Sequence, residues 1–125
     1  MTNIYCDGST TNICYIIGEQ KPIVAPALQE GIKVTNNEGE YYAVLKALIE
    51  ARKQGLTDLV VYSDSQLIVN QVTTDDSGIP LYKSKERRMQ DLRNLVWLFM
   101  KNFNSVELRW TSRNMNPAGK ILERL

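Results

Sequence analysis

Histidine is absent from these 125 residues. That absence removes histidine general bases, Ser-His triads and histidine zinc sites from the chemistry open to the chain. Cysteine is scarce: Cys6 and Cys14 cannot form a disulfide framework and suit a cytoplasmic setting. Cys6 alternates with Ile4 on an apolar run and reads as a small buried residue. No apolar run approaches the roughly 20 residues of a bilayer span. No basic region followed by an apolar stretch marks the N-terminus, so neither membrane nor signal peptide is expected. Excess charge is also missing: the net charge is +1, so any affinity for nucleic acid would come from a local patch, not a global field.

What is present describes one globular domain over residues 1–125. The 43% apolar and 23% charged content is too apolar for a disordered chain, and the length suffices for one core but not two. Residues 3–7 form a short apolar run that ends in the turn residues Asp7-Gly8-Ser9-Thr10-Thr11-Asn12. Ile13 to Gly18 resumes as a strand, and Val24 to Val34 is a weaker extended stretch interrupted by Pro26.

From Asn37 the period becomes helical, with Tyr41, Val44, Leu45, Leu48 and Ile49 at three-to-four spacing until Gly55. Asn36 or Asn37 can cap this helix, and Glu38 and Glu40 sit in its first turn, where the helix dipole favours negative charge. Asp58 to Ser63 is a β-branched strand, and Ser65 to Val72 a short helix. Beyond a loop at residues 75–80 comes a long amphipathic helix with Met89, Leu92, Val96, Phe99 and Phe103 on one face. Lys83, Lys85, Arg87, Arg88 and Arg93 lie near its start, and the first four could touch DNA phosphates. Val106, Leu108 and Trp110 alternate on a half-buried strand, and Asn116-Pro117 opens a last helix. The expected fold is α/β: a mixed five-stranded sheet flanked by helices on both faces, in the order β-β-β-α-β-α-α-β-α.

Three acidic segments stand out against this framework. Asp7 ends the first strand, Asp64 follows the fourth, and Glu40 lies one turn into the helix between them. If the two strands are neighbours, their carboxylates face each other across about 5 Å. Carboxylates that close repel unless cations join them, and all-oxygen ligands suit Mg²⁺ or Mn²⁺ rather than zinc. Two such ions about 3.5–4 Å apart can support phosphodiester hydrolysis, which would let a histidine-free chain catalyse it.

The flanking residues make the pattern specific. Asp7-Gly8-Ser9, Thr35-Asn36-Asn37 with Glu40 and Ala43, and Ser63-Asp64-Ser65-Gln66 resemble the DGS, TNN-x-x-E-x-x-A and [ST]-D-S-Q signatures of type 1 ribonucleases H. The resemblance covers nearly the whole chain and implies a ribonuclease H-like fold. It also implies an endoribonuclease that cuts the RNA strand of RNA–DNA hybrids with two Mg²⁺ or Mn²⁺ ions held by Asp7, Glu40 and Asp64. Glu40, not Glu38, takes the place of the catalytic glutamate. Asn12, Asn36, Asn37 and Gln66 match positions that contact the hybrid in its minor groove, and Thr35 one that binds a DNA phosphate. Amides suit such contacts because they both donate and accept.

The family's fourth acid, in an N-x-x-x-D pattern, has no counterpart here. Counted from Asn116 its place falls on Lys120, or with one deletion on Gly119, and Glu123 is the nearest acid that could act as a further ligand. Two other readings therefore stay open. One is a catalytically impaired module that binds hybrid or double-stranded nucleic acid. The other is a different nuclease on the same fold, such as a junction resolvase or a transposase-like core. The expected partner is an RNA–DNA hybrid, with the chain acting as a monomer and no obligatory protein partner.

Overall fold

The computed structural model describes residues 1–125. Its elements are β1 (Thr2–Gly8), β2 (Asn12–Ile17), β3 (Ile23–Pro26), α1 (Asn36–Lys53), β4 (Asp58–Ser63), α2 (Gln66–Val72), α3 (Arg87–Met100), β5 (Ser105–Trp110) and α4 (Pro117–Glu123), with a 3-10 turn at Arg113–Met115. The element order is the one expected from the sequence. The sheet runs β3-β2-β1-β4-β5. Tight turns return β2 and β3 antiparallel, whereas helical crossovers bring β4 and β5 back parallel to β1, as strand connections of those lengths require.

Alternation along the strands divides the sheet into two faces. Ile4 is in register with Ile17 and Val61, and Val61 with Leu108. All four are buried in the main core, on which α1 lays Tyr41, Val44, Leu45 and Leu48. Met89, Leu92 and Val96 of α3 pack against α1 from outside. Within this layer the Tyr41 hydroxyl donates to Gln71 Oε1 at 2.6 Å, pairing two buried polar groups that would otherwise oppose burial. The opposite face carries Tyr5 and Tyr62, stacked with ring centroids 5.0 Å apart, and Asp7 beside Cys14. There α4 packs on β1 and β2 and buries Ala118 and Cys14. Helices thus cover both faces.

Four local expectations are corrected. The third strand is only four residues long, because Pro26 has no N–H to continue the ladder, and the chain beyond it is irregular up to Thr35. The cap of α1 is Thr35, not Asn36 or Asn37. Its side chain accepts from Glu38 N, and the Glu38 carboxylate accepts from Thr35 N, closing a capping box. Helix α3 begins at Arg87 and ends at Met100, which leaves Lys83 and Lys85 before it and Phe103 in the turn after it. Residues before it are held elsewhere: Leu81 N donates to Thr73 O and Tyr82 N to Asn70 O. Finally, Trp110 does not share the burial of Leu108. It is 48% exposed, at the end of β5, with its ring N–H donating to Asp64 O at 3.2 Å.

No helix is long and apolar enough to cross a membrane. Both cysteines are free and buried, and burial pushes the Cys6 thiol well above its usual range.

Candidate metal centre at the sheet edge

Asp7 is the next-to-last residue of β1, and Cys6 pairs with Ser63, the last residue of β4. Asp64 follows at once, so two adjacent parallel strands in the middle of the sheet deliver the two carboxylates at the same strand ends. The turn around Asp64 is built by its neighbours. Ser63 Oγ accepts from Ser65 N at 3.1 Å, and Ser65 Oγ caps α2 by accepting from Ile68 N at 3.2 Å. The two serines absorb the backbone donors, and the aspartate between them is left to project.

Glu40 arrives by a different device. Gly8 at the end of β1 and Gly39 in the first turn of α1 meet backbone to backbone. A Cβ on Gly8 would overlap the Gly39 carbonyl, and one on Gly39 would overlap the Ser9 carbonyl. This contact seats the start of α1 directly on the strand end. Gly8 N then donates to Glu40 Oε1 at 2.5 Å, and Glu40 reaches over the edge to Asp7. Glu38, the alternative glutamate, is committed to the capping box and to Arg88 Nε at 2.7 Å.

One carboxylate oxygen from each of Asp7, Glu40 and Asp64 lies within 4.8 Å of the others. Asp7 is 4% exposed and Glu40 9%, so water screens their charges poorly. Burial first, then the charge of Asp7 and a hydrogen bond with it, push the Glu40 carboxyl up to about 9. Asp7 is also raised, chiefly by burial, although the hydrogen bond with Glu40 and the nearby Arg113 guanidinium oppose the rise. Burial and the charge of Asp7 thus favour the protonated form of Glu40 beside Asp7. Three carboxylates and no nitrogen or sulfur form a donor set for a hard divalent cation, whose charge would replace that proton.

On the side of α4 the helix backbone lies close over the site at Gly119. A Cβ built on Gly119 would stand 3.3 Å from Asp7 Oδ2 and 3.3 Å from Asp64 Oδ2. Of the two positions at which a fourth acid would align, Gly119 is therefore the one that faces the cluster, and Lys120 points to solvent. The structure does not bring Glu123 to the cluster: its carboxylate accepts from Arg113 Nε at 2.8 Å. Around the site, Asn36, Asn37 and Gln66 are exposed and Asn12 half-buried. Asn12 Nδ2 donates to Thr11 Oγ1 at 3.2 Å, and the Thr35 hydroxyl accepts in the cap. Two features escaped the sequence reading, the Gly8–Gly39 contact and a second role for Asn116. The first had a signal, since glycine within a helix costs about 1 kcal/mol against alanine and so asks for a packing reason.

The sheet order and its acidic edge define a ribonuclease H-like domain. Residues 6–122 match the family described as reverse transcriptase-like, and the chain belongs to that ribonuclease H-like family. Solved structures agree on the fold. The ribonuclease H1 of the halophilic archaeon Halobacterium salinarum superposes with a TM-score of 0.82 at 20% identity, over 97% of this chain and 92% of that one. The N-terminal ribonuclease H domain of a Mycobacterium tuberculosis protein gives 0.78 at 24% identity, over 97% and 94%. The LC11 ribonuclease H1, isolated from compost by a metagenomic approach and solved in complex with an RNA/DNA hybrid, gives 0.79 at 22% identity, over 98% and 93%. No curated protein matches the chain by sequence.

Proposed function

We propose that this chain is an endoribonuclease that hydrolyses the RNA strand of RNA–DNA hybrids, with Mg²⁺ or Mn²⁺ held by Asp7, Glu40 and Asp64. The observation that carries the reading is the convergence of these three carboxylates, from three separate elements, within 4.8 Å. Bound divalent ions would supply charge to activate water and to stabilise the departing oxygen. Water adds at phosphorus, the P–O3′ bond breaks, and the products are a 3′-hydroxyl and a 5′-phosphate. Glu40 would release its proton on binding a cation, while β1 fixes the backbone of Asp7 and the turn after β4 that of Asp64. The protein acts as a monomer in the cytoplasm, where its two thiols stay reduced.

Recognition falls to the amides around the site. Asn12, Asn36, Asn37 and Gln66 meet the minor groove, where 2′-hydroxyls distinguish RNA from DNA, and Thr35 meets a DNA phosphate. The solved hybrid complex of a similar fold supports this substrate class. With three acids in place of four, turnover is expected to be higher in Mn²⁺ than in Mg²⁺. The test is a panel of labelled RNA–DNA hybrid, double-stranded RNA and branched DNA, incubated in either metal with wild type and Asp64→Asn. Cleavage of the hybrid alone, abolished by the substitution, supports the proposal. Binding without cleavage in both metals would reassign the chain as a hybrid-binding module, and cleavage of branched DNA as a resolvase.

A further inference from the structure

The last helix brings no carboxylate to the site, yet it touches it through Asn116. This side chain is fully buried, with 0% exposure, and each of its polar atoms is used. Its Oδ1 accepts from Ala118 N at 3.2 Å and caps α4. Its Nδ2 donates to Cys6 O at 2.9 Å, on the strand that carries Asp7, and to Asp64 Oδ2 at 3.1 Å. One planar amide thus joins β1, the carboxylate after β4 and the start of α4.

We infer that Asn116 is a positioning residue for Asp64: by holding Oδ2 it fixes the orientation of the carboxylate toward Asp7 and Glu40. The chemistry favours an amide over other side chains of similar size. A carboxylate there would repel Asp64, an apolar group would leave Cys6 O and Asp64 Oδ2 without their donor, and only an amide both caps the helix and donates twice. Gly119, three residues on, lets the α4 backbone lie against Asp7 and Asp64, where a Cβ would stand 3.3 Å from Oδ2 of each. The contribution of α4 is therefore orientation, not ligation. Asp64 has few other restraints, since the hydrogen bonds to its neighbours Ser63 and Ser65 hold its backbone turn and leave the carboxylate free.

This inference rests on the metal-site reading above, and the test separates the two. Asn116→Ser keeps a good helix cap but cannot reach Asp64, and Asn116→Thr is its companion should the serine variant fold poorly. Mn²⁺ binding is measured by titration with paramagnetic detection, beside circular dichroism and hybrid turnover. Loss of an orienting partner typically weakens metal binding 10–100-fold, so the variants should stay folded, lose about that factor in Mn²⁺ affinity, and show a lower kcat with an unchanged KM for hybrid. A folded variant with wild-type Mn²⁺ affinity would overturn the inference alone, whereas a wild type that binds no Mn²⁺ would overturn both readings. A second measurement needs no variant at position 116. The Asn116 side-chain amide signals in an NMR spectrum should shift on addition of Mg²⁺ and in Asp64→Ala, and a residue that only caps α4 would leave them unmoved.

Discussion

Gly39→Ala opposes two effects of known sign. Alanine is the better helix former by about 1 kcal/mol, so propensity alone would make the variant more stable. Against this, the new Cβ would overlap the Ser9 carbonyl, with Ser9 N only 3.1 Å away. The obstacle is backbone, fixed by the Ser9 N–H bond to Asn12 O at 2.8 Å, and cannot rotate aside. Overpacking costs about 1–3 kcal/mol, and a rigid neighbour places this case at the upper end. The net expectation is a loss of about 2 kcal/mol, the clash outweighing the propensity gain. Function should suffer more than stability. Relief of the clash lifts the start of α1 from β1, weakens the Gly8–Glu40 hydrogen bond and withdraws Glu40 from Asp7. A displacement of about 1 Å at a reacting group costs on the order of 100-fold in rate. Urea unfolding and hybrid turnover, measured on one preparation, give both quantities. A Gly39→Ala protein as stable as wild type or more so, with full turnover, would refute the close-contact account.

Three further outcomes follow from the geometry. Because the Glu40 carboxyl stands at about 9 in the fold against an ordinary 4.5, its protonated form stabilises the metal-free protein at low pH. That contribution is lost as pH rises toward 9; Glu40→Gln should flatten this slope in urea unfolding with chelator, and Mn²⁺ binding at pH 7 should release protons, seen as a buffer-dependent heat. Glu123→Gln should leave Mn²⁺ affinity unchanged and stability within about 1 kcal/mol, since an exposed ion pair with Arg113 is all it removes; a tenfold loss of affinity would restore Glu123 as a ligand. Gly119→Asp should lower the unfolding midpoint in chelator, by repulsion from Asp7 and Asp64, and raise it in Mn²⁺ relative to wild type; the same shift in both conditions would show that position 119 does not face the cation.

The element order was legible because period and punctuation agree along most of the chain. Tyr41, Val44, Leu45 and Leu48 announce the buried face of α1, and Pro117 after Asn116 announces α4. The starts of α1 and α3 are less legible than those of α2 and α4. Thr35 took the cap from its asparagine neighbours because Glu38 stands three residues on and closes the box, a pairing visible in the sequence. The delayed start of α3 was not visible, since residues 81–82 are held by bonds to Thr73 and Asn70 that only the folded chain creates. Asp7, Glu40 and Asp64 could be named from their flanks, but their approach depends on Gly8 meeting Gly39 across 31 residues of sequence. The fourth position was ambiguous by one residue for a similar reason. Only the direction of a Cβ at Gly119 distinguishes it from Lys120.

We propose that Asp7, Glu40 and Asp64 direct hydrolysis of RNA paired to DNA. The most direct measurement is end-group analysis of a hybrid labelled separately on each strand, incubated with wild-type protein in Mn²⁺. The expected result is a cut RNA strand bearing 3′-hydroxyl and 5′-phosphate ends, an intact DNA strand, and no products from Asp7→Asn, Glu40→Gln or Asp64→Asn. Cleavage of the DNA strand, or RNA cleavage that survives loss of any of the three carboxylates, would contradict it.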